Sequence, residues 1–181
     1  GVLAYNELSS YEAEEYDLSA FVGRCATRIL DGSVTLGGGT YQLDRNDPFG
    51  TMHGGSASLD KRVWTMEAVD SPHACGLELT ITSCDGDNGF PGNVTITARY
   101  ELLRDANVLR LGFEATTDAP TIMNMTGHSY FNLAGEGSGS AGEHLLTVDA
   151  DAYLPVTAEL VPTGQFEQVD GTPFDFRAPR R

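Results

Sequence analysis

Apolar and polar residues alternate along much of this chain, and this alternation is its dominant periodicity. Apolar side chains occupy every second position over residues 77–81, 94–100 and 109–115. A period of two residues predicts β-strands with one buried face. Residues 33–36 and 40–43 are joined by three consecutive glycines, an arrangement typical of a hairpin with a tight turn.

Helical periodicity is confined to one stretch, and a helix is predicted only near Tyr11–Phe21. The other segments are short strands separated by turns rich in Gly, Pro and Asp, without alternating helices. This pattern predicts an all-β chain, an antiparallel β-sandwich. No internal repeat and no domain boundary is evident, so residues 1–181 are predicted to belong to a single domain.

Charge and hydropathy exclude two classes of partner. The chain has 181 residues, a formal net charge of −15 and one lysine, Lys61. Nucleic-acid binding is therefore not expected, because it depends on clustered Lys and Arg. The acidic residues are spread along the sequence, as on a solvated surface. A membrane span is not expected either, since no run of about 18 apolar residues exists.

The three cysteines, Cys25, Cys75 and Cys84, are odd in number and lack metal-ligand spacing. They favour a reducing compartment, and we expect a cytoplasmic protein. The four histidines also lack ligand spacing, so no metal site is predicted. A calcium loop beginning at Asp85 is rejected because Phe90 and Ile96 stand where Gly and Glu are required, and a turn is predicted instead.

Two histidines lie in segments that suggest chemistry. His128 begins the run HSYFNLAG, where an ionisable ring lies among aromatic and amide side chains. An imidazole gives and takes protons near neutral pH, yet a structural turn histidine also fits these residues alone. His53 lies in the turn MHGG, where the missing glycine side chains are predicted to admit a ligand. A solvent-exposed turn histidine is the alternative there.

Five segments together resemble the aldose 1-epimerase (galactose mutarotase) family in their order along the chain. They are GRCATRILDG (23–32), MHGG (52–55), DGDNGFPG (85–92), HSYFNLAG (128–135) and the run from Asp149 to Arg177. The resemblance implies a β-sandwich enzyme that interconverts α and β anomers of hexoses such as galactose and glucose. It implies acid-base ring opening without a cofactor.

The resemblance also implies roles for individual residues. His128 matches the family's proton donor and Arg28 its substrate-contacting arginine. We further predict that Thr27, His53 and Tyr130 bind the sugar. Thr27 stands where the family usually has Asn, and Tyr130 lies two residues after His128, which on a strand places both side chains on one face. Arg24 and Trp64 are interpreted as structural or core residues.

The family's catalytic base, a Glu, lies beyond the position of Arg181, and Gly1 begins where the family is already some strands in. We therefore expect residues 1–181 to be a partial domain that is inactive alone. The partner is expected to be a small-molecule aldose, and no pattern specifies an oligomeric state. The alternative function is a catalytically inactive carbohydrate-binding β-sandwich. An enzyme for phosphorylated hexoses is disfavoured, because no extra Arg and Lys cluster accompanies the motifs.

Overall fold

The fold is described from a computed structural model that covers residues 1–13 and 16–181. Its strands, in chain order, are β1 Phe21–Val22, β2 Arg28–Leu30, β3 Ser33–Leu36, β4 Gly39–Gln42, β5 Gly50–Met52, β6 Thr65–Asp70, β7 Ala74–Ser83, β8 Val94–Leu103, β9 Leu109–Thr117, β10 Thr126–Gly127, β11 Ala152–Tyr153 and β12 Glu167–Gln168. Every pair formed between these strands is antiparallel. None of the helices in the described ranges has the length and apolar character needed to span a bilayer.

The largest sheet has the order β6-β7-β8-β9 and contains the three strands predicted from alternation. The central pair runs from Ala74 opposite Leu103 to Ser83 opposite Val94. In β8 the predicted half-burial is confirmed, because Val94, Ile96 and Ala98 are fully buried and Thr95 between them is exposed.

Burial in β7 departs from the prediction at one end. Leu77, predicted to face the core, is 37% exposed, whereas Ile81 in the same strand is 7% exposed. The reason is that the core cluster of Leu59, Ile81, Val94 and Ile96, with the partly buried Trp64 and two methionines, covers only one end of the sheet. The core interpretation of Trp64 is confirmed, and its Nε1 donates to the Leu59 carbonyl oxygen at 2.9 Å.

The predicted hairpin is formed by β3 and β4, with Ser33 opposite Gln42 and Leu36 opposite Gly39. Gly39 begins β4 rather than belonging to the turn. Gly37 and Gly38 have φ of +58° and +83°. Two successive positive φ values are what a two-residue hairpin turn requires to follow the strand twist.

The helix prediction near Tyr11–Phe21 is wrong over most of its length. The helix spans Leu8–Ala13, Glu14 and Glu15 lie outside the described residues, and Phe21 begins a strand. Asp17 and Ser19 have positive φ, which interrupts a helix. Val22 is fully buried opposite Thr126, so sheet pairing and burial override the local pattern.

The chain divides into two compact units, one made of residues 1–20 and 128–181 and the other of residues 21–127. The smaller unit contains the pair β11-β12 and the bridges of Val2 with Phe131 and of Leu146 with Arg180. The larger unit contains the remaining strands and the hydrophobic core clusters.

Arg24 organises the interior of the larger unit, as its structural interpretation predicted. Its side chain is 2% exposed. The guanidinium donates to the carbonyl oxygens of Ser83, Cys84, Pro91 and Gly92 and to the hydroxyls of Ser83 and Thr121, at 2.8–3.2 Å. Burial lowers the pKa of Arg24, and the carboxylates of Asp87 and Asp85 oppose this effect. The turn predicted over residues 85–92 is thereby fixed to the segment 23–32.

Candidate active site

The predicted site residues fall into two local groups. Thr27, Arg28 and His53 lie in the larger unit, where β2 pairs with β5. His128 and Tyr130 lie in the smaller unit. Each group is built by contacts within its own unit, and each is half-buried except for Tyr130, which is 41% exposed.

Thr27 and His53 are locked together by two reciprocal hydrogen bonds. The backbone N–H of His53 donates to the Thr27 carbonyl oxygen at 3.0 Å. The backbone N–H of Thr27 donates to Nδ1 of His53 at 3.2 Å. Because Nδ1 accepts, the proton of the neutral ring is on Nε2, which makes Nε2 a hydrogen-bond donor.

Thr27 and His53 both have left-handed backbone conformations, with φ of +63° at Thr27 and +53° at His53. For a β-branched residue such as threonine a positive φ is strained. The reciprocal bonds and the register of Arg28 opposite Met52 hold the strained conformation in place.

Replacing Thr27 with asparagine is expected to raise the free energy of unfolding by about 1 kcal/mol, since asparagine tolerates the left-handed region. Thermal melting followed by circular dichroism measures the change. Thr95→Asn in the regular strand β8 is the matched control, and it is expected to lower the melting temperature because asparagine is a poor strand former. Equal destabilisation by both changes would contradict strain at Thr27.

Arg28 is held by Asp47, a residue that the sequence reasoning missed. Nε and Nη2 of Arg28 donate to Oδ1 and Oδ2 of Asp47, both at 3.0 Å. The Asp47 side chain is 8% exposed and that of Arg28 is 19% exposed. Hydrogen bonding from Arg28 is the main cause that lowers the pKa of Asp47.

The segment that carries Asp47 is fixed to β5 by further bonds. Asn46 exchanges two side-chain hydrogen bonds with the backbone of Met52, and Asp47 exchanges two backbone bonds with Gly50. The Thr51 hydroxyl donates to the Asp44 carbonyl oxygen at 2.6 Å. The run Asn46-Asp47-Pro48 predicts a turn, but nothing in it points to Arg28, 19 residues earlier.

The glycines of the MHGG turn serve the packing of the chain itself, which corrects the predicted reason for their presence. A Cβ on Gly54 would meet the Gly23 carbonyl oxygen at 1.9 Å, and one on Gly55 would meet Asn88 at 2.9 Å. The space left by the missing side chains is therefore filled by protein. Gly54 brings the His53 turn against the segment that contains Arg24, and Gly55 brings it against Asn88.

The backbone of His128 is fixed by residues near the start of the chain. Its N–H donates to the Ala20 carbonyl oxygen at 2.9 Å, and its own carbonyl oxygen accepts from Ser19 N–H at 3.1 Å. His128 and Tyr130 lie outside the named strands, which differs from the strand geometry assumed for them. Their rings nevertheless lie together, with centroids 5.2 Å apart. The Tyr130 hydroxyl donates to the Tyr16 carbonyl oxygen at 3.2 Å.

The rest of the HSYFNLAG segment is structural. Asn132 is buried, and its amide bonds the Gly139 carbonyl oxygen and the Ala134 N–H. His144 also has a structural role, because its Nε2 accepts from Leu133 N–H at 2.9 Å. The Asn132 and His144 side chains therefore build the loop that follows His128.

The two groups of predicted site residues coincide neither with a set of metal ligands nor with the depression on the large sheet, among the residues that the structure describes. No set of three or more His, Cys, Asp or Glu side chains converges as metal ligands within residues 1–13 and 16–181. A depression of about 550 Å³ lies on the outer face of the large sheet around Gly112. It contains none of the predicted site residues, and its Arg99 is paired with Glu78.

A sequence model of the family described as aldose 1-epimerase matches residues 2–181. The chain belongs to the aldose 1-epimerase family. It is 40% identical to galactose mutarotase of Bos taurus over 178 residues, which are 98% of this chain and 50% of that protein. It is 38% identical to aldose 1-epimerase of Escherichia coli K12 over 168 residues, 93% of this chain and 47% of that protein.

A solved structure agrees with the sequence relatives. Galactose 1-epimerase from Lactobacillus acidophilus superposes with a TM-score of 0.86 at 36% identity, over 99% of this chain and 52% of that one. This similarity confirms the predicted fold, an antiparallel β-sandwich of galactose mutarotase type. The chain spans about half the length of the curated relatives it matches.

Proposed function

We propose that this protein interconverts the α and β anomers of aldohexoses such as galactose and glucose, with His128 as the catalytic acid. The observation that supports it is the family match over residues 2–181, which includes the HSYFNLAG segment with its half-buried histidine. Two related proteins carry the names galactose mutarotase and aldose 1-epimerase.

Anomer exchange requires that the sugar ring open and close. A base removes the proton of the anomeric hydroxyl, the bond between the anomeric carbon and the ring oxygen breaks, and an acid protonates that oxygen. The carbonyl group rotates, and the same groups return the protons when the ring closes on the other face. An imidazole suits this two-way role because its ordinary pKa of about 6.5 is near ambient pH.

The geometry around His128 supports the role of acid. Two backbone hydrogen bonds fix its position independently of its side chain. Its ring packs at 5.2 Å from Tyr130, and that tyrosine is itself held by the Tyr16 carbonyl oxygen. These contacts hold the ring in a defined place, as a positioned general acid requires. Tyr130 contributes an aromatic wall to the proposed sugar site.

Arg28, His53 and Thr27 form the proposed sugar-binding group of the larger unit. Arg28 uses two of its five N–H donors on Asp47, and the neutral ring of His53 carries its proton on Nε2 because Nδ1 accepts from Thr27. Sugar hydroxyl and ring oxygens accept such bonds. The reaction needs only proton transfers and the opening and closing of one C–O bond, so the proposal includes no metal and no cofactor. The thiols of Cys25, Cys75 and Cys84 are all free, which supports a reducing location such as the cytoplasm.

His53→Ala is expected to raise KM for galactose about tenfold while kcat changes less, because a ligand hydrogen bond is lost without loss of the acid. The protein is expressed from its complete gene, and polarimetry of freshly dissolved α-galactose measures the rate.

His144→Ala is the matched control, since its ring also accepts a backbone N–H but has no proposed sugar contact. KM should stay at the parent value in this variant. An unchanged KM in the His53 variant would refute sugar binding by His53.

A further inference from the structure

The pairing of Arg28 with Asp47 has a specific geometry. The carboxylate takes the side of the guanidinium formed by Nε and Nη2, with two parallel bonds of 3.0 Å. Bidentate pairing of this kind fixes the plane of the guanidinium as well as its position. Nη1 donates to no group among the residues that the structure describes. The edge formed by Nη1 and Nη2 therefore points away from the carboxylate.

Asp47 is itself held rigidly. Its Oδ1 accepts a second bond, from Phe49 N–H at 3.1 Å, and its backbone is joined to Gly50 in both directions. Gly50 lies so close to β2 that a Cβ there would meet the Ile29 carbonyl oxygen at 2.0 Å. The carboxylate and the strand that carries Arg28 are thus parts of one rigid element. A flexible surface ion pair would lack this support.

We propose that Asp47 is a positioning residue, which holds Arg28 so that its Nη1 and Nη2 edge is presented to the oxygens of the bound aldose. This inference rests on the proposed function, because it requires Arg28 to contact the sugar. Asp47 acts through Arg28 and touches no reacting atom. Because Asp47 already holds Arg28 in one orientation, the arginine side chain loses little rotational freedom when the sugar binds.

Asp47→Asn is expected to raise KM for galactose about tenfold and to leave kcat within about twofold, in protein expressed from the complete gene. Asparagine keeps one oxygen for Phe49 N–H but removes the bidentate acceptor. Asp44→Asn is the matched control, because Asp44 is a carboxylate of the same segment that accepts from Ser56 N–H instead. KM of the Asp44 variant should equal that of the parent.

A double-mutant cycle tests whether Asp47 acts through Arg28. Arg28→Met is expected to raise KM at least as much as Asp47→Asn, and the double variant should be no worse than Arg28→Met alone. Asp47→Glu, which keeps the charge, should recover part of the loss. Independent, multiplicative effects of the two changes on KM would overturn the positioning role.

Nuclear magnetic resonance of the Arg28 Nε–H separates failure of this inference from failure of the proposed function. The signal should exchange slowly with solvent in the parent and at least tenfold faster in Asp47→Asn. If exchange stays slow in the variant, positioning by Asp47 is refuted whatever the activity shows. If exchange accelerates but Arg28→Met leaves KM unchanged, Asp47 does position Arg28, and the proposed contact of Arg28 with sugar is refuted.

Discussion

His128→Ala is expected to reduce kcat for anomer exchange by about 10²- to 10⁴-fold, the range typical of losing a positioned general acid. The expectation applies to protein expressed from its complete gene and assayed by polarimetry of α-galactose. The fold should persist, because the hydrogen bonds of His128 to Ser19 and Ala20 use only its backbone. KM should change little, since the acid acts mainly on the transition state.

His73→Ala is the control for this experiment. His73 is an exposed histidine between β6 and β7, with no proposed part in the site. Its variant should retain the parent rate. A loss of less than tenfold in His128→Ala would leave His128 with a structural role only, and the assignment of the acid would be wrong.

Arg24→Met is expected to produce the largest loss of stability of any single change considered. The side chain is 2% exposed and serves several buried acceptors. Methionine fills part of the volume but leaves the carbonyl oxygens of Ser83, Pro91 and Gly92 without their donor. A buried acceptor without a partner costs about 1–3 kcal/mol, so the total loss should reach at least about 3 kcal/mol. Denaturant titration of the purified protein measures it.

Arg104→Met is the matched control for Arg24. Arg104 is 43% exposed in its side chain and pairs with Asp70 at the surface. Exposed pairs contribute little, so this variant should unfold close to the parent midpoint. If both variants lose the same stability, Arg24 does not have the organising role that its hydrogen bonds indicate.

The sequence predicts strands and turns well where neighbouring residues alone determine the structure. In β8 the alternation of Val94, Ile96 and Ala98 with polar residues matches burial on one face. The glycines after Leu36 likewise specify a tight turn without help from distant residues. The exposure of Leu77 was not predictable, because it depends on how far the core cluster extends along the sheet. The strand at Phe21 depends on its partner Gly127, which no local window contains.

The motifs predict the residues of the candidate site, but they do not predict the contacts that hold these residues in place. His53 and Arg28 lie in recognisable segments, but the bond between Thr27 and His53 joins residues 26 positions apart. Asp47 is an ordinary turn aspartate in sequence, and only the register of β2 with β5 brings it to Arg28. The sequence predicts that the glycines after His53 leave space for a ligand. Local sequence does not reveal that the Gly23 backbone occupies the space beside Gly54.

Exchange spectroscopy of galactose by nuclear magnetic resonance distinguishes catalysed anomer exchange from sugar binding alone. Protein expressed from the complete gene is mixed with equilibrated galactose, and magnetisation transfer between the α and β anomeric protons is measured. We expect a transfer rate that exceeds that of buffer, rises in proportion to protein concentration, and falls by about 10²-fold or more with His128→Ala. Sugar binding, seen as line broadening, without any increase in transfer would contradict this expectation and would identify a carbohydrate-binding sandwich instead of an epimerase.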